Sequence, residues 1–334
     1  MYGMFLSKDV KQLLKNKHVV IIGDSVQRNL YMDLVLFLQH DRVLKDSESK
    51  MKGHDTFLND VQVFRAPLTN GTDYMEIREY QSADGFNLLQ FYFVTKCYSD
   101  RVETILSEFV KEAPDVIIMN SCLWDISRYG PDSMDQYYFN MRKLCTRLRE
   151  ILPKRSTFVW TTTMPLGSEI GAGFLLETIE SISGELRTCI LEANYYVAQI
   201  IIENGFDILD LHFYMRQMMR HRLKDGVHWD PVGTRHVTHM ILTFLCDLWC
   251  LPLPRHTADW LKRENPNFEN YPFQHDGVPR FIEQRIALLE GKEPLTNDSN
   301  PCEPNQQPNV DSGNVTAPAF SGDSHLIGAM YPAP

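Results

Sequence analysis

No apolar run in this 334-residue chain reaches the roughly 20 residues that a membrane-crossing helix needs, so no membrane span is expected. A disulfide framework is missing as well. The seven cysteines (Cys97, Cys122, Cys145, Cys189, Cys246, Cys250 and Cys302) are odd in number and have no repeated spacing, as suits reduced thiols. Positive charge is in deficit: 33 Lys and Arg face 43 Asp and Glu, for a net charge of −10. That balance repels a phosphate backbone and argues against general nucleic-acid binding. Met1 to Lys17 lacks the apolar core and the small-residue cleavage site of a secretory signal, so a cytoplasmic or nucleocytoplasmic protein is expected. Without a secretory route, the glycosylation triplets at Asn70, Asn297 and Asn314 carry no weight. What remains is ordinary globular material, 43% hydrophobic and 23% charged.

Five short, continuously apolar runs stand out: His18 to Gly23, Leu88 to Val94, Asp115 to Asn120, Thr157 to Thr162 and Phe206 to Leu211. Unbroken apolarity over so few residues marks strands covered on both faces, which is how parallel sheets are built. Helical spacing separates most of them, over Asn29 to Gln39, Arg101 to Lys111, Met134 to Leu152, Phe174 to Asn204 and Val232 to Leu248. The alternation predicts a three-layer α/β/α, doubly wound fold with a mainly parallel five-stranded sheet. Val61 to Ala66 and Tyr74 to Tyr80, flanking Asn70-Gly71, read as an antiparallel hairpin insertion. The domain is expected to span 1–255. A packed extension over 256–290, with a short helix at Arg280 to Leu289, should follow it. The Pro-, Asn- and Ser-rich stretch 291–334 reads as a disordered tail whose protein partner is not identified.

Two segments carry chemistry. Gly23-Asp24-Ser25 closes the first buried run just before a helical pattern, which puts Ser25 at the carboxyl edge of the sheet. A serine there lies beside free backbone N–H groups and the positive end of a helix; its other reading is an N-cap. The triplet alone turns up in about one chain in ten. Asp225-Gly226-Val227-His228 is the second segment, with acid and imidazole three positions apart and able to meet. Asp225 can then hold one imidazole nitrogen while the other faces Ser25. The alternative is a local acid–histidine pair near a helix start. Both segments in one chain, each in a sheet-edge loop, favour a serine–aspartate–histidine triad.

Taken together, these segments resemble the SGNH (GDSL-type) hydrolase superfamily. The run Gly23-Asp24-Ser25-Val26-Gln27-Arg28-Asn29 is similar to the GDSxxRN pattern of its PC-esterase branch, and Asn120-Ser121-Cys122-Leu123-Trp124 resembles the branch's N-x-G-H-W segment. The resemblance covers about residues 15 to 255. It implies a catalytic triad of Ser25, Asp225 and His228 acting on O-acyl esters, acetylated carbohydrates among them, without metal or other cofactor. It also places Gly23, Asp24, Arg28, Asn120 and Trp124 around the oxyanion and substrate. The third block departs from the superfamily's G-x-N-D, since Cys122 stands at the glycine and Trp124 at the asparagine. Asn120 is the nearest substitute amide, and its other reading is a brace to backbone. A second-block glycine donor is not placed, Gly71 and Gly85 both lying in the hairpin region.

Arg28, one helical turn beyond Ser25, either returns to the mouth to bind substrate or pairs on the helix surface. Arg216, Arg220 and Lys224 read as a solvated helical stripe opposite core methionines Met215, Met218 and Met219. His236 and His239 with Cys246 and Cys250 lack the paired spacing of a metal site. Two other functions fit the same residues: an O-acyltransferase using the triad, and a catalytically weak scaffold that binds an acylated ligand.

Overall fold

The computed structural model describes residues 5–49, 54–67, 71–171 and 185–254. Its elements in chain order begin with α1 (Ser7–Leu13), β1 (Lys17–Gly23), α2 (Ser25–Phe37) and α3 (Asp46–Ser49). A hairpin follows, β2 (Val61–Arg65) and β3 (Glu76–Gln81), and then β4 (Asn87–Phe93), α4 (Asp100–Phe109), β5 (Val116–Asn120), α5 (Cys122–Ser127) and α6 (Ser133–Ile151). The remainder is β6 (Thr157–Thr161), α7 (Leu186–Glu203), β7 (Asp207–Leu209), α8 (Leu211–Met215) and α9 (Pro231–Leu248).

The seven strands among the described residues form one sheet in the order β2-β3-β4-β1-β5-β6-β7. The five apolar runs are its parallel part, β4-β1-β5-β6-β7. The hairpin extends that sheet antiparallel from the β4 edge, with a register shift in β2 between Gln62 and Phe64. Counted among the parallel strands alone, the spatial order is second, first, third, fourth, fifth. Connections from β1 and from β5 therefore leave toward opposite edges, and a crevice opens between their carboxyl ends. Gly23 and Asn120 are paired in register at that crevice.

Two apolar layers cover the sheet. On one face Val10, Val35, Phe37, Ile241 and Leu245 from α1, α2 and α9 pack on Val19, Ile21 and Phe91. On the other, Val102, Leu106, Leu144, Val197 and Ile200 from α4, α6 and α7 pack on Val20, Ile22 and Ile117. Odd and even residues of β1 thus serve opposite cores, the physical basis of its unbroken apolar run. Asp33 and Arg235, both fully buried, join α2 to α9 by a bidentate ion pair of 2.8 and 2.9 Å, and Thr238 Oγ1 donates to the same carboxylate. Arg235 also lies 3.7 Å over the Phe37 ring.

Several elements differ from expectation. The amino-terminal segment holds a helix, α1, that buries Val10, with Leu14 buried just past its end. The stripe Arg216, Arg220, Lys224 does not form. Helix α8 stops at Met215, a single 3-10 turn spans Met219–His221, and Lys224 lies in the following turn. Met215 and Met218 are core residues as expected, whereas Met219 is 37% exposed. The helix read from Phe174 is described from Leu186 onward. The Asn70 side of the hairpin turn, the 256–290 extension with its short helix and the 291–334 tail lie outside the described residues. No described helix is long and apolar enough to cross a membrane.

Candidate active site

The serine is delivered by a turn with no room for a side chain. Gly23 has φ +157°, and a Cβ there would lie 2.2 Å from the Asn120 carbonyl oxygen and 2.3 Å from Gln27 Cγ. Asp24 follows as the N-cap of α2 and accepts a 2.8 Å bond from the Val26 N–H. Burial pushes the Asp24 carboxyl above its ordinary pKa, against the opposing pull of backbone N–H groups and of His228. Ser25 is the first residue of α2. Its N–H has no intrahelical acceptor, as for any residue of a first turn.

Across the crevice, residues 221–230 form a narrow loop. The Arg222–Trp229 bridge, the Leu223 N–H to His228 carbonyl bond (2.8 Å) and the Asp230 N–H to His221 carbonyl bond (2.7 Å) tie its arms together. Asp230 then caps α9 through the Gly233 N–H, with Pro231 in the first turn. At the loop tip Gly226 takes φ +75°, the left-handed region that favours glycine. This bend turns Asp225 and His228 toward each other. His228 Nδ1 lies 2.8 Å from Asp225 Oδ2, and Asp225 Oδ1 accepts the Val227 and His228 N–H groups, each at 2.9 Å. Burial would raise the Asp225 pKa, but these backbone bonds and the imidazole outweigh it and hold the carboxyl below the ordinary range. An ionised Asp225 accepts only, so in the neutral imidazole Nδ1 carries the proton and Nε2 is left as an acceptor. Ser25 Oγ sits 2.7 Å from that Nε2, across 203 positions of sequence.

The other expected site residues divide. Asp24 and Asn120 border a cavity of about 30 Å³ together with Gln27, Thr163 and Trp229. A second cavity, about 20 Å³, is bounded by His228, Val26, Leu211, Trp229 and Val237. Asn120 uses its amide N–H groups on the Thr161 carbonyl (2.6 Å) and Thr163 Oγ1 (3.2 Å), bracing the ends of β5 and β6. Arg28 does not return to the mouth. It is buried and donates to Glu76 Oε2 at 3.2 Å, because that fully buried carboxylate draws Arg28, Arg78 and the Tyr74 hydroxyl around it. Trp124 is buried too, edge-to-face with Phe93 and under the Arg128 guanidinium, and borders neither cavity. Cys122 is fully buried, which pushes its thiol up to about 12. His236 and His239 are buried in α9, and the described residues contain no cluster of three His, Cys, Asp or Glu able to hold a metal.

Sequence reading missed the loop after β6. Gly167 and Gly171 meet the backbone of Gly226 and Asp225, and Arg222 Nη1 donates to the Gly226 carbonyl at 2.9 Å. The available signal was a cluster of glycines directly after a buried strand.

No protein-family model matches the chain. Among curated proteins it is 42% identical to human PC-esterase domain-containing protein 1A over 298 residues, 85% of this chain and 64% of that protein. To human PC-esterase domain-containing protein 1B it is 41% identical over 268 residues, covering 78% of this chain and 62% of the other. The chain thus spans somewhat less than two thirds of the length of these relatives. Among solved structures, an acetylxylan esterase, Axe2 from Geobacillus stearothermophilus, aligns with a TM-score of 0.42 at 10% identity, over 73% of this chain and 99% of that one. A lipase/acylhydrolase from Enterococcus faecalis aligns with 0.40 at 13% identity, over 72% and 100%. In sequence the chain is thus similar, over 78–85% of its length, to PC-esterase domain-containing proteins 1A and 1B.

Proposed function

We propose that this chain is a serine-dependent acyl-ester hydrolase. Ser25 Oγ attacks the ester carbonyl and passes its proton to His228 Nε2, while Asp225 holds the imidazole in the required tautomer and stabilises the imidazolium. The tetrahedral intermediate collapses with loss of the alcohol, which takes the proton from His228. Water, deprotonated by His228, then clears the acyl group from Ser25 as a carboxylic acid. Charge developing on the carbonyl oxygen falls beside the Ser25 N–H and the positive end of α2. The observation that carries the reading is the 2.7 Å contact between Ser25 Oγ and His228 Nε2, continued by the 2.8 Å contact to Asp225.

The cavity beside His228 offers a largely apolar lining, with Val26, Leu30, Leu211, Trp229 and Val237, to an acyl group. Short O-acyl esters of a polar acceptor, acetylated carbohydrates among them, are the class implied by the resemblance to PC-esterases.

A fluorophosphonate probe tests the chemistry without the natural substrate. An adduct should form on Ser25 and be lost in Ser25→Ala and His228→Ala. If well-folded protein takes up no probe, the hydrolase reading is wrong and a binding scaffold replaces it. Acetyl-ester turnover that depends on an added sugar acceptor would instead mark a transferase.

A further inference from the structure

The catalytic acid poses a physical problem. The Asp225 side chain is 43% exposed, so side-chain packing does little to hold a carboxylate that must orient His228. Its placement comes from backbone, and two of the backbone bonds that anchor it belong to a different element. The Gly167 N–H donates to the Gly226 carbonyl at 2.8 Å, and the Gly171 N–H donates to the Asp225 carbonyl at 2.9 Å. Both residues lie on the loop that leaves β6. The two loops meet main chain to main chain. A Cβ on Gly167 would come 2.8 Å from Gly226 Cα, and one on Gly226 would come 2.0 Å from the Glu169 carbonyl oxygen. At Gly171 the corresponding distance, to Asp225 Cα, is 3.4 Å. Glycine at 167 and 226 is therefore a steric requirement of the contact, and at 226 a conformational one too.

The loop is itself rooted. Asn194 of α7 bonds both backbone groups of Thr163, its Oδ1 accepting the N–H and its Nδ2 donating to the carbonyl, each at 2.9 Å. Leu166 is buried in the core beneath. A continuous chain of fixed contacts thus runs from α7 through Thr163 and Gly167 to the peptide that follows the catalytic acid.

From this geometry we infer that the Leu166–Gly171 loop is a positioning element for Asp225, with Gly167 its main contact, a role that rests on the triad reading above. Gly167→Ala pushes the Asp225-Gly226 turn outward, and Asp225 then presents its carboxylate to His228 off line. Misplacing a catalytic group by about 1 Å is worth roughly a hundredfold in rate.

The test is fluorophosphonate labelling of the full chain, with the maximal labelling rate and the probe affinity measured separately. Gly167→Ala should slow the maximal rate at least about tenfold and leave probe affinity within about twofold, since the cavity beside His228 is untouched. In an Asp225→Asn background the same substitution should add less than about a twofold loss, because groups acting through one another are not additive. Gly85→Ala is the control. That glycine, in the β3–β4 turn, has a positive φ and nothing within 4 Å, so the variant should lose stability without losing labelling. If Gly167→Ala does not fold by circular dichroism, Asn194→Ala, which adds no atoms, takes its place in the same cycle. Wild-type labelling in the folded variant, or a loss as large in the Asp225→Asn background as in wild type, overturns the positioning role alone. Absence of a Ser25 adduct in the wild-type chain removes the chemistry and this role with it.

Discussion

At the scale of single residues, Asp225 and Asn120 are both polar groups fixed at the crevice, yet their hydrogen bonds assign them different work. Asp225 directs one oxygen at backbone N–H groups and the other at the imidazole. Asp225→Asn keeps the shape but offers His228 the wrong tautomer, and labelling of Ser25 should fall by about a thousandfold or more in protein that remains folded. Asn120 has both amide hydrogens on Thr161 and Thr163. Asn120→Ala should cost about 1–3 kcal/mol in denaturant unfolding, because buried acceptors are left unpaired, and should slow labelling far less than Asp225→Asn. A large labelling loss at unchanged stability would return Asn120 to the oxyanion. Both roles for Asn120 were readable from its position at a strand end. Choosing between them required knowing where Thr161 and Thr163 lie, at the end of a strand 41 and 43 positions away.

At the scale of elements, the decisive pairing is α2 with α9, since one begins at Ser25 and the other directly follows the Asp225–His228 loop. Asp33 and Arg235, fully buried, fix how the two helices lie together. Removing one partner leaves an uncompensated buried charge, so Arg235→Met should destabilise by about 3–5 kcal/mol, whereas Asp33→Leu with Arg235→Met should recover much of that loss. The comparison of melting curves checks both. Most elements were legible beforehand: continuous apolarity marked the five parallel strands and Asn70-Gly71 the hairpin. Helix α1 was missed because its seven residues hold one buried position, Val10, with Leu14 just past its end, too few for a period. The Arg216–Lys224 stripe was misread for the opposite reason. Its spacing is helical, but the chain is drawn into the loop that carries His228.

Across the whole molecule, two buried titratable groups set opposing pH slopes. Burial pushes the Asp125 carboxyl up to about 7 from 3.8 and the His236 imidazole down to about 4 from 6.5. Between about pH 4 and 7 folded Asp125 holds a proton that the unfolded chain has lost, so this group lowers stability as pH rises. For His236 the unfolded chain binds the extra proton below about 6.5, so stability falls as pH falls. Asp125→Asn keeps the acceptor for the Cys97 N–H and should match wild type near pH 4, then exceed it by on the order of 1 kcal/mol or more at pH 8. Melting temperatures across that range decide it, and a constant offset would mean that Asp125 does not titrate there.

Strand identity, the Gly23-Asp24-Ser25 turn and the Asp225–His228 pair were determined by the amino-acid order itself, because each depends on neighbours within a few positions. Apolar runs bury themselves, a glycine admits a bend, and an acid three residues from a histidine reaches it. Tertiary structure alone decided what meets across distance. It brought Ser25 within 2.7 Å of His228, turned Arg28 to Glu76, and set Gly167 against Gly226. Such partners are chosen by the winding order of the sheet and by close packing, neither of which is written in any local stretch of the chain.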